Sequence, residues 1–255
     1  MTDSGRRAGE LAVVIGATGD FGQAIVARLR SARLRVVAVA RSAASLEALA
    51  DGDPDIVACE ADIACDAAIE RITAVLDRPV RMVVHGPGVA VAGGILDAPT
   101  ESVVDAVNIK VGGMLRLVRA ADSRLAEGAR LVAIGGHYGL EPTAYAAAAG
   151  VANAALINVV RQLSLAYGAR GITAHTIAPG PADTGRLHRV AANRATLRGI
   201  AVDAVLDEMK AESSIGAFVT PQQVAWAVAL LLAPEADAMT GSTLMLDAGR
   251  RRGLP

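Results

Sequence analysis

The stretch LAVVIGATGDFG, residues 11–22, decides the fold. Its five leading apolar residues predict a buried strand, and the glycines that follow open a helix near Phe21. Gly16 allows a tight turn, Gly19 permits close approach of the backbone to a pyrophosphate, and Gly22 lets the helix pack on the strand. The free N–H groups of a helix N-terminus attract such phosphates. The stretch therefore predicts a dinucleotide-binding loop.

Short apolar runs alternate with helical stretches along the rest of the chain. Strands that are apolar throughout are typical of a parallel sheet covered on both faces. With right-handed crossovers, this predicts an α/β fold: a single-domain, Rossmann-like, doubly wound parallel sheet of about seven strands. The predicted strands are 11–15, 35–39, 55–59, 80–85, 129–134, 173–177 and 243–246, and the predicted helices are 21–31, 43–50, 67–76, 102–126, 144–167 and 221–232.

Composition and charge exclude several classes of protein. The chain has 255 residues, of which 53% are hydrophobic, so it can bury one large core and is not disordered. Its net charge of −1 argues against binding to nucleic acid. The polar first ten residues and the lack of an apolar run of about 20 residues predict a cytoplasmic protein that neither enters nor spans a membrane. Cys59 and Cys65 predict two thiols, with no disulfide and no metal site.

Segment 184–214 interrupts the alternation of strands and helices. It is rich in arginine and alanine and follows Pro179-Gly180-Pro181. Segments outside the carboxyl ends of parallel strands carry specificity, so we expect a helical lid over a substrate.

The end of the second strand predicts which dinucleotide binds. An acidic residue at this position holds the ribose 2′-hydroxyl of NAD. The chain has Arg41 and Ser42 instead, which can bind a 2′-phosphate. The prediction is a preference for NADP over NAD; a solvated arginine is the alternative.

From Leu11 to Gly249 the chain resembles the short-chain dehydrogenases/reductases. Besides the glycine loop, two similar segments follow strands: Asp62-Ile63 resembles the family's adenine contact, and His85-Gly86-Pro87-Gly88 follows the fourth strand. Asn108 matches the helix asparagine of the family's catalytic tetrad. Pro179-Gly180 and Thr184 match the family's residues near the nicotinamide. The resemblance implies cofactor contacts at Gly16, Thr18, Gly19, Asp20, Phe21, Gly22, Arg41, Ser42, Asp62, Ile63, Gly86, Pro87, Gly88, Asn153, Pro179, Gly180 and Thr184.

The catalytic centre departs from the family pattern of a serine followed by Tyr-x-x-x-Lys. Alignment of Asn153-Ala-Ala-Leu with the family's Lys-Ala-Ala-Leu puts Asn153 at the lysine position and Ala149 at the tyrosine position. Gly136 then takes the serine position. The only two lysines, Lys110 and Lys210, lie outside this helix, so the sequence predicts no substitute lysine nearby.

Several residues are candidate replacements for the lost groups. Tyr145 precedes Ala149 by four residues, so on a continuous helix it shares a face with Ala149 and Asn153. His137 follows the serine position, and His85 ends the fourth strand; an imidazole titrates near neutrality without help. The predicted catalytic residues are Asn108, Tyr145, His137 and Asn153. Tyr145 and His85 also suit purely structural roles.

The sequence leaves three functions open. The first is an atypical NADP(H)-dependent oxidoreductase acting on a small carbonyl or enone substrate. The second is a redox-neutral isomerase, dehydratase or cyclase on the same scaffold. The third is a non-catalytic binding subunit. In each case the small residues of helices 102–126 and 144–167, which resemble the family's dimer-forming pair, predict a homodimer or homotetramer.

Overall fold

The computed structural model describes residues 9–90 and 93–253. The strands are β1 (Leu11–Ile15), β2 (Arg35–Ala40), β3 (Ile56–Glu60), β4 (Val80–His85), β5 (Leu125–Ile134), β6 (Thr173–Pro179) and β7 (Thr243–Leu246). They form one sheet in the order β3-β2-β1-β4-β5-β6-β7, and every neighbouring pair is parallel. The predicted doubly wound parallel sheet is confirmed. Its strand order reverses between β1 and β4, where ligands of such sheets bind.

Helices cover both faces of the sheet. They are α1 (Asp20–Ser31), α2 (Ala43–Ala50), α3 (Ala67–Ala74), α4 (Thr100–Val107), α5 (Gly113–Ala121), α6 (Ala147–Tyr167), α7 (Gly185–Arg198), α8 (Val202–Ala211) and α9 (Pro221–Leu230). Strand β1 shows why the apolar run is unbroken. Leu11 and Val13 pack in the core beneath α3, α5 and α6, whereas Ala12 and Val14 pack on the opposite side with α1 and α9.

The prediction of one helix over 102–126 is wrong. Helix α4 ends at Val107, a π-helix spans Asn108–Gly112, and α5 ends at Ala121. Strand β5 then begins at Leu125, which pairs with Val80. The apolar residues 125 and 126 fit either a helix or a strand, and pairing with the sheet decides between them.

The prediction that helix α6 begins at residue 144 is also wrong. The helix starts at Ala147, because Ala146 forms a β-bridge with Gly93 and the N–H of Ala147 donates to the carbonyl of Gly93. The predicted strand 129–134 begins four residues too late, and the remaining predicted elements differ from those observed by at most two residues at either end, as is usual for boundaries.

Segment 184–214 forms α7 and α8, which enclose a small core of their own that includes Leu187, Val205 and Met209. Its role as a lid stays a prediction. Among the described residues, no helix combines the length and the apolarity needed to cross a membrane.

Candidate active site

Two adjoining cavities lie at the carboxyl ends of the central strands. The larger, of about 500 Å³, is here called the cofactor groove. Of the predicted cofactor contacts it is lined by Gly16, Thr18, Gly19, Asp20, Phe21, Gly22, Arg41, Ser42, Asp62, Ile63, Gly86, Pro87, Gly88 and Thr184. The smaller, of about 240 Å³, is here called the inner pocket, and Asn153, Pro179 and Gly180 line it. The structure therefore brings all the predicted cofactor contacts to one continuous region.

Glycines at the head of the groove leave no room for side chains. A Cβ on Gly22 would lie 2.1 Å from the carbonyl oxygen of Gly16. Gly16 has φ of +78°, and its Cβ would meet the backbone of Gly86 and Pro87 at 3.2 Å. The loop thus brings α1 against β1 with its N-terminus open to the groove, as a bound pyrophosphate requires.

Arg41 and Ser42 lie side by side at the end of β2, on the wall of the groove. The side chain of Arg41 is exposed and makes no hydrogen bond or ion pair within the described residues. Ser42 caps α2, since its hydroxyl oxygen accepts the N–H of Ser45 at 3.3 Å. No carboxylate follows β2 here, so a guanidinium stands where NAD-binding sites place an acidic group.

Asn153 and Gly136 fit each other in the inner pocket. Asn153 is 5% exposed, and a Cβ on Gly136 would lie 2.8 Å from its Nδ2. A serine at position 136 would therefore require the amide of Asn153 to shift. The Oδ1 of Asn153 is buried without a hydrogen-bond partner among the described residues. Because an unsatisfied buried acceptor is costly, this atom suits a ligand hydroxyl such as that of a ribose.

Tyr145 is not on α6, so the predicted helical face of residues 145, 149 and 153 is wrong. The phenol instead lines the inner pocket from the segment before the helix, together with Ala149 and Asn153. Its hydroxyl is 2.5 Å from the hydroxyl of Tyr138, and either oxygen can donate. Burial, together with this contact, raises the pKa of Tyr138 far above its usual value.

The two candidate histidines have different surroundings. His137 lines the inner pocket, and its Nε2 is buried without a partner among the described residues. Burial, followed in importance by the charge of Arg250, lowers its pKa to about 4, so the imidazole is neutral at pH 7. His85 lies outside both cavities; its Nε2 is 3.0 Å from the carbonyl oxygen of Ile109, and burial lowers its pKa to about 3. His85 is therefore placed as a packing residue.

Asn108 also lies outside both cavities. Its Nδ2 donates to the carbonyl of Ala64 at 3.0 Å, and its Oδ1 accepts from Arg116 at 2.9 Å. The side chain holds the start of the π-helix against the loop after β3. The structure does not bring it to the residues predicted to act with it.

Lys110, which the sequence placed away from the site, lies in the inner pocket and is 4% exposed. The expectation that no lysine is near is wrong. The π-helix puts this residue beside β5, where its Nζ donates to the carbonyl of Ile134 at 2.8 Å. Burial, and next the charge of Arg186, lowers its pKa to about 7. The adjacent Gly112-Gly113 was the only signal in the sequence of an irregular helix here.

The inner pocket carries positive charge without a compensating carboxylate. Lys110, Arg186 and Arg194 line it, and no Asp or Glu does so within the part of the chain that the structure describes. No cluster of His, Cys, Asp and Glu among the same residues has the geometry to hold a metal ion. The arrangement fits a nicotinamide cofactor in the groove and a polar, electron-rich group in the pocket.

A family model described as enoyl-(acyl carrier protein) reductase matches residues 16–251. A putative ketoacyl reductase of Streptomyces coelicolor is 27% identical over 251 residues, covering 94% of this chain and 96% of its own.

Two solved structures show the same fold. L-sorbose reductase from Gluconobacter frateurii, complexed with NADPH and L-sorbose, superimposes with a TM-score of 0.90 at 20% identity, covering 97% of this chain and 98% of its own. The NADPH-bound short-chain oxidoreductase of Pseudomonas aeruginosa PAO1, which contains an atypical catalytic centre, gives 0.85 at 22% identity, covering 96% and 98%. The chain belongs to the short-chain dehydrogenase/reductase family of oxidoreductases.

Proposed function

We propose that the protein is an NADP(H)-dependent oxidoreductase that reduces a small carbonyl or enone substrate. The observation that carries the proposal is the exposed Arg41, which lines the same groove as the three glycines of the phosphate loop. A 2′-phosphate accepts charge-assisted hydrogen bonds from a guanidinium, which the 2′-hydroxyl of NAD does not match. Two proteins of the same fold have been solved with NADPH bound.

Unsatisfied atoms of the inner pocket support a bound cofactor and substrate. The Oδ1 of Asn153 and the Nε2 of His137 are both buried there without a partner among the described residues. Asn153 would hold the nicotinamide ribose by hydrogen bonds. When bound, the reduced nicotinamide supplies a hydride to the substrate. His137, neutral at pH 7, and Tyr145, which both line the pocket, would orient the substrate.

The Arg41→Glu variant tests the choice of cofactor. We expect it to weaken NADPH binding by about 1 kcal/mol or more, roughly fivefold, because a charged hydrogen bond is replaced by repulsion. NADH, which lacks the 2′-phosphate, should lose far less. Isothermal calorimetry on each nucleotide measures both effects.

The matched control is Arg28→Glu. Arg28 is exposed on α1 and does not line the groove. Its substitution by glutamate changes the net charge of the protein by the same amount as Arg41→Glu. Unchanged NADPH affinity in Arg41→Glu, or an equal loss in the control, would refute the contact with the 2′-phosphate.

One observation favours a non-catalytic binding protein instead: Gly136, Ala149 and Asn153, which the motif alignment assigns to three tetrad positions, carry no titratable group. NADPH with deuterium at C4 of the nicotinamide separates the two functions. With a panel of small oxo compounds and enones, the reductase transfers the label to a product that mass spectrometry detects. A binding protein retains NADPH with the label in place for every compound of the panel.

We also propose that the protein assembles as a homo-oligomer through α4–α5 and α6. Val104 on α4 is 60% exposed and Val151 on α6 is 43% exposed, while the two helices pack on each other through a shared apolar cluster. Light scattering of Val104→Asp/Val151→Asp should give a smaller particle than the wild type. An unchanged mass would place the interface elsewhere.

A further inference from the structure

Lys110 is a buried cation whose position in the inner pocket needs an explanation. Its ammonium group has three N–H donors, and within the described residues it makes one hydrogen bond, to the carbonyl of Ile134. A buried charge is costly unless it is paired. No carboxylate lines this pocket in the described chain, so a structural ion pair does not account for the lysine.

The local backbone is built to hold this lysine. The π-helix Asn108–Gly112 inserts one residue into the helical path, and single π-turns are frequent at functional sites. Arg116 braces the turn, since its Nη1 donates to Asn108 Oδ1 at 2.9 Å and to the carbonyl of Ile63 at 3.1 Å. These hydrogen bonds hold the backbone turn that carries Lys110, and the bond from Nζ to the carbonyl of Ile134 holds its side chain.

A second cation in the pocket lacks a hydrogen-bond or ion-pair partner among the described residues. Arg194, half-buried on α7, makes no hydrogen bond or ion pair in the described part of the chain. Its guanidinium lies over the ring of Tyr145, 4.8 Å from the centroid. A guanidinium placed on an aromatic wall of a cavity is well suited to bind a carboxylate through two parallel hydrogen bonds.

We propose that the substrate of this pocket is an oxo acid, whose carbonyl oxygen is bound and protonated by Lys110 and whose acidic group pairs with Arg194. The inference rests on the proposed function and specifies its substrate class and its proton donor. The hydride from the reduced nicotinamide forms a C–H bond at the carbonyl carbon as the C=O π bond breaks. The oxygen takes a proton from Nζ, and the neutral amine regains one from solvent.

The electrostatic surroundings of Lys110 suit this role. The groups that act on it electrostatically are His85 from β4 and Arg186 from α7; the other titratable or charged groups that line the pocket are His137, Tyr138, Tyr145 and Arg194. Both histidines are neutral at pH 7, so the other charges at the pocket are the guanidinium groups of Arg186 and Arg194, and both are positive. A lysine that titrates close to neutrality exchanges protons more readily than an ordinary one.

Binding to the NADP⁺ form tests the substrate class without turnover. The probes are aliphatic 2-oxo and 3-oxo acids and their neutral methyl esters, titrated calorimetrically into the protein saturated with NADP⁺. We expect an acid of the panel to bind at least about tenfold more tightly than its ester, and Arg194→Gln to remove that difference. Arg189→Gln, an exposed neighbour on α7 that does not line the pocket, should preserve it.

The two lysines of the chain allow a direct measurement on Lys110. Lysine labelled with ¹⁵N at Nζ gives two side-chain signals, which Lys210→Arg assigns. In the ternary complex with the acid we expect the pKa of Lys110 to rise by at least about one unit, because an oxygen ligand favours the ammonium form. In single turnovers Lys110→Met should transfer hydride about 100-fold more slowly, and Lys110→Arg should restore part of the rate by keeping the charge.

The outcomes separate the two proposals. If neither NADP⁺ nor NADPH binds, the proposed function fails. If the cofactor binds but the acids bind no better than their esters, or not at all, the oxo-acid assignment is overturned. If the Lys110 signal does not respond to the acid and Lys110→Met transfers hydride at the wild-type rate, its role as proton donor is overturned.

Discussion

The Gly22→Ala variant is expected to lose about 3 kcal/mol of its free energy of unfolding, the upper end of the usual cost of overpacking. The added Cβ would lie 2.1 Å from the carbonyl oxygen of Gly16 and 2.6 Å from the backbone of Ala17. Backbone atoms do not yield as a flexible side chain does, so α1 must move away from β1. Urea unfolding followed by circular dichroism measures the loss, and NADPH affinity should fall with it.

Gly168→Ala is the matched control. Gly168 follows α6 with a negative φ, and a Cβ there has no atom within 4 Å. We expect a change in the free energy of unfolding within about 0.5 kcal/mol. If Gly22→Ala were as stable as this control, it would contradict the close contact between the glycine loop and α1 described above.

Lys110→Met is expected to change how stability depends on pH. The pKa of Lys110 is about 7 in the folded protein, lowered by burial and by Arg186, against about 10.4 in an unfolded chain. Between these values the unfolded chain binds more protons, so the stability of the wild type rises with pH. From about pH 7 to pH 9 the wild type should gain on the order of 2 kcal/mol relative to the variant.

The measurement is a series of urea unfolding curves of the apoprotein at several pH values. In the folded protein the buried His85, His137 and His175 titrate below this range, so the effect of Lys110 on the pKa of His85 falls outside it. Parallel stability curves for wild type and Lys110→Met would show that the ammonium is not held in a buried site.

The parallel sheet was predictable because its signals are local. Apolar runs such as residues 11–15 and 36–39 are buried, and glycines mark the turn into α1. The long helix over 102–126 was mispredicted for the opposite reason. Whether residues 125 and 126 continue a helix or begin β5 depends on their pairing with β4, which lies far away in the sequence.

The composition of the catalytic centre was harder to infer than the cofactor groove. The groove is formed by short motifs at strand ends, so its residues could be named one by one. Lys110 lines the pocket from within a π-helix, and a regular helical periodicity does not predict such an irregular turn. Tyr145 reaches the pocket from a loop, although its spacing had suggested a helix.

The most direct test of the central claim is a calorimetric titration of the wild-type protein with NADPH and, separately, with NADH. An intact glycine loop with Arg41 at the end of β2 predicts a dissociation constant for NADPH in the micromolar range and at least about tenfold weaker binding of NADH. Equal affinity for the two nucleotides would contradict the assigned contact with the 2′-phosphate. Binding of neither would contradict the proposed oxidoreductase itself.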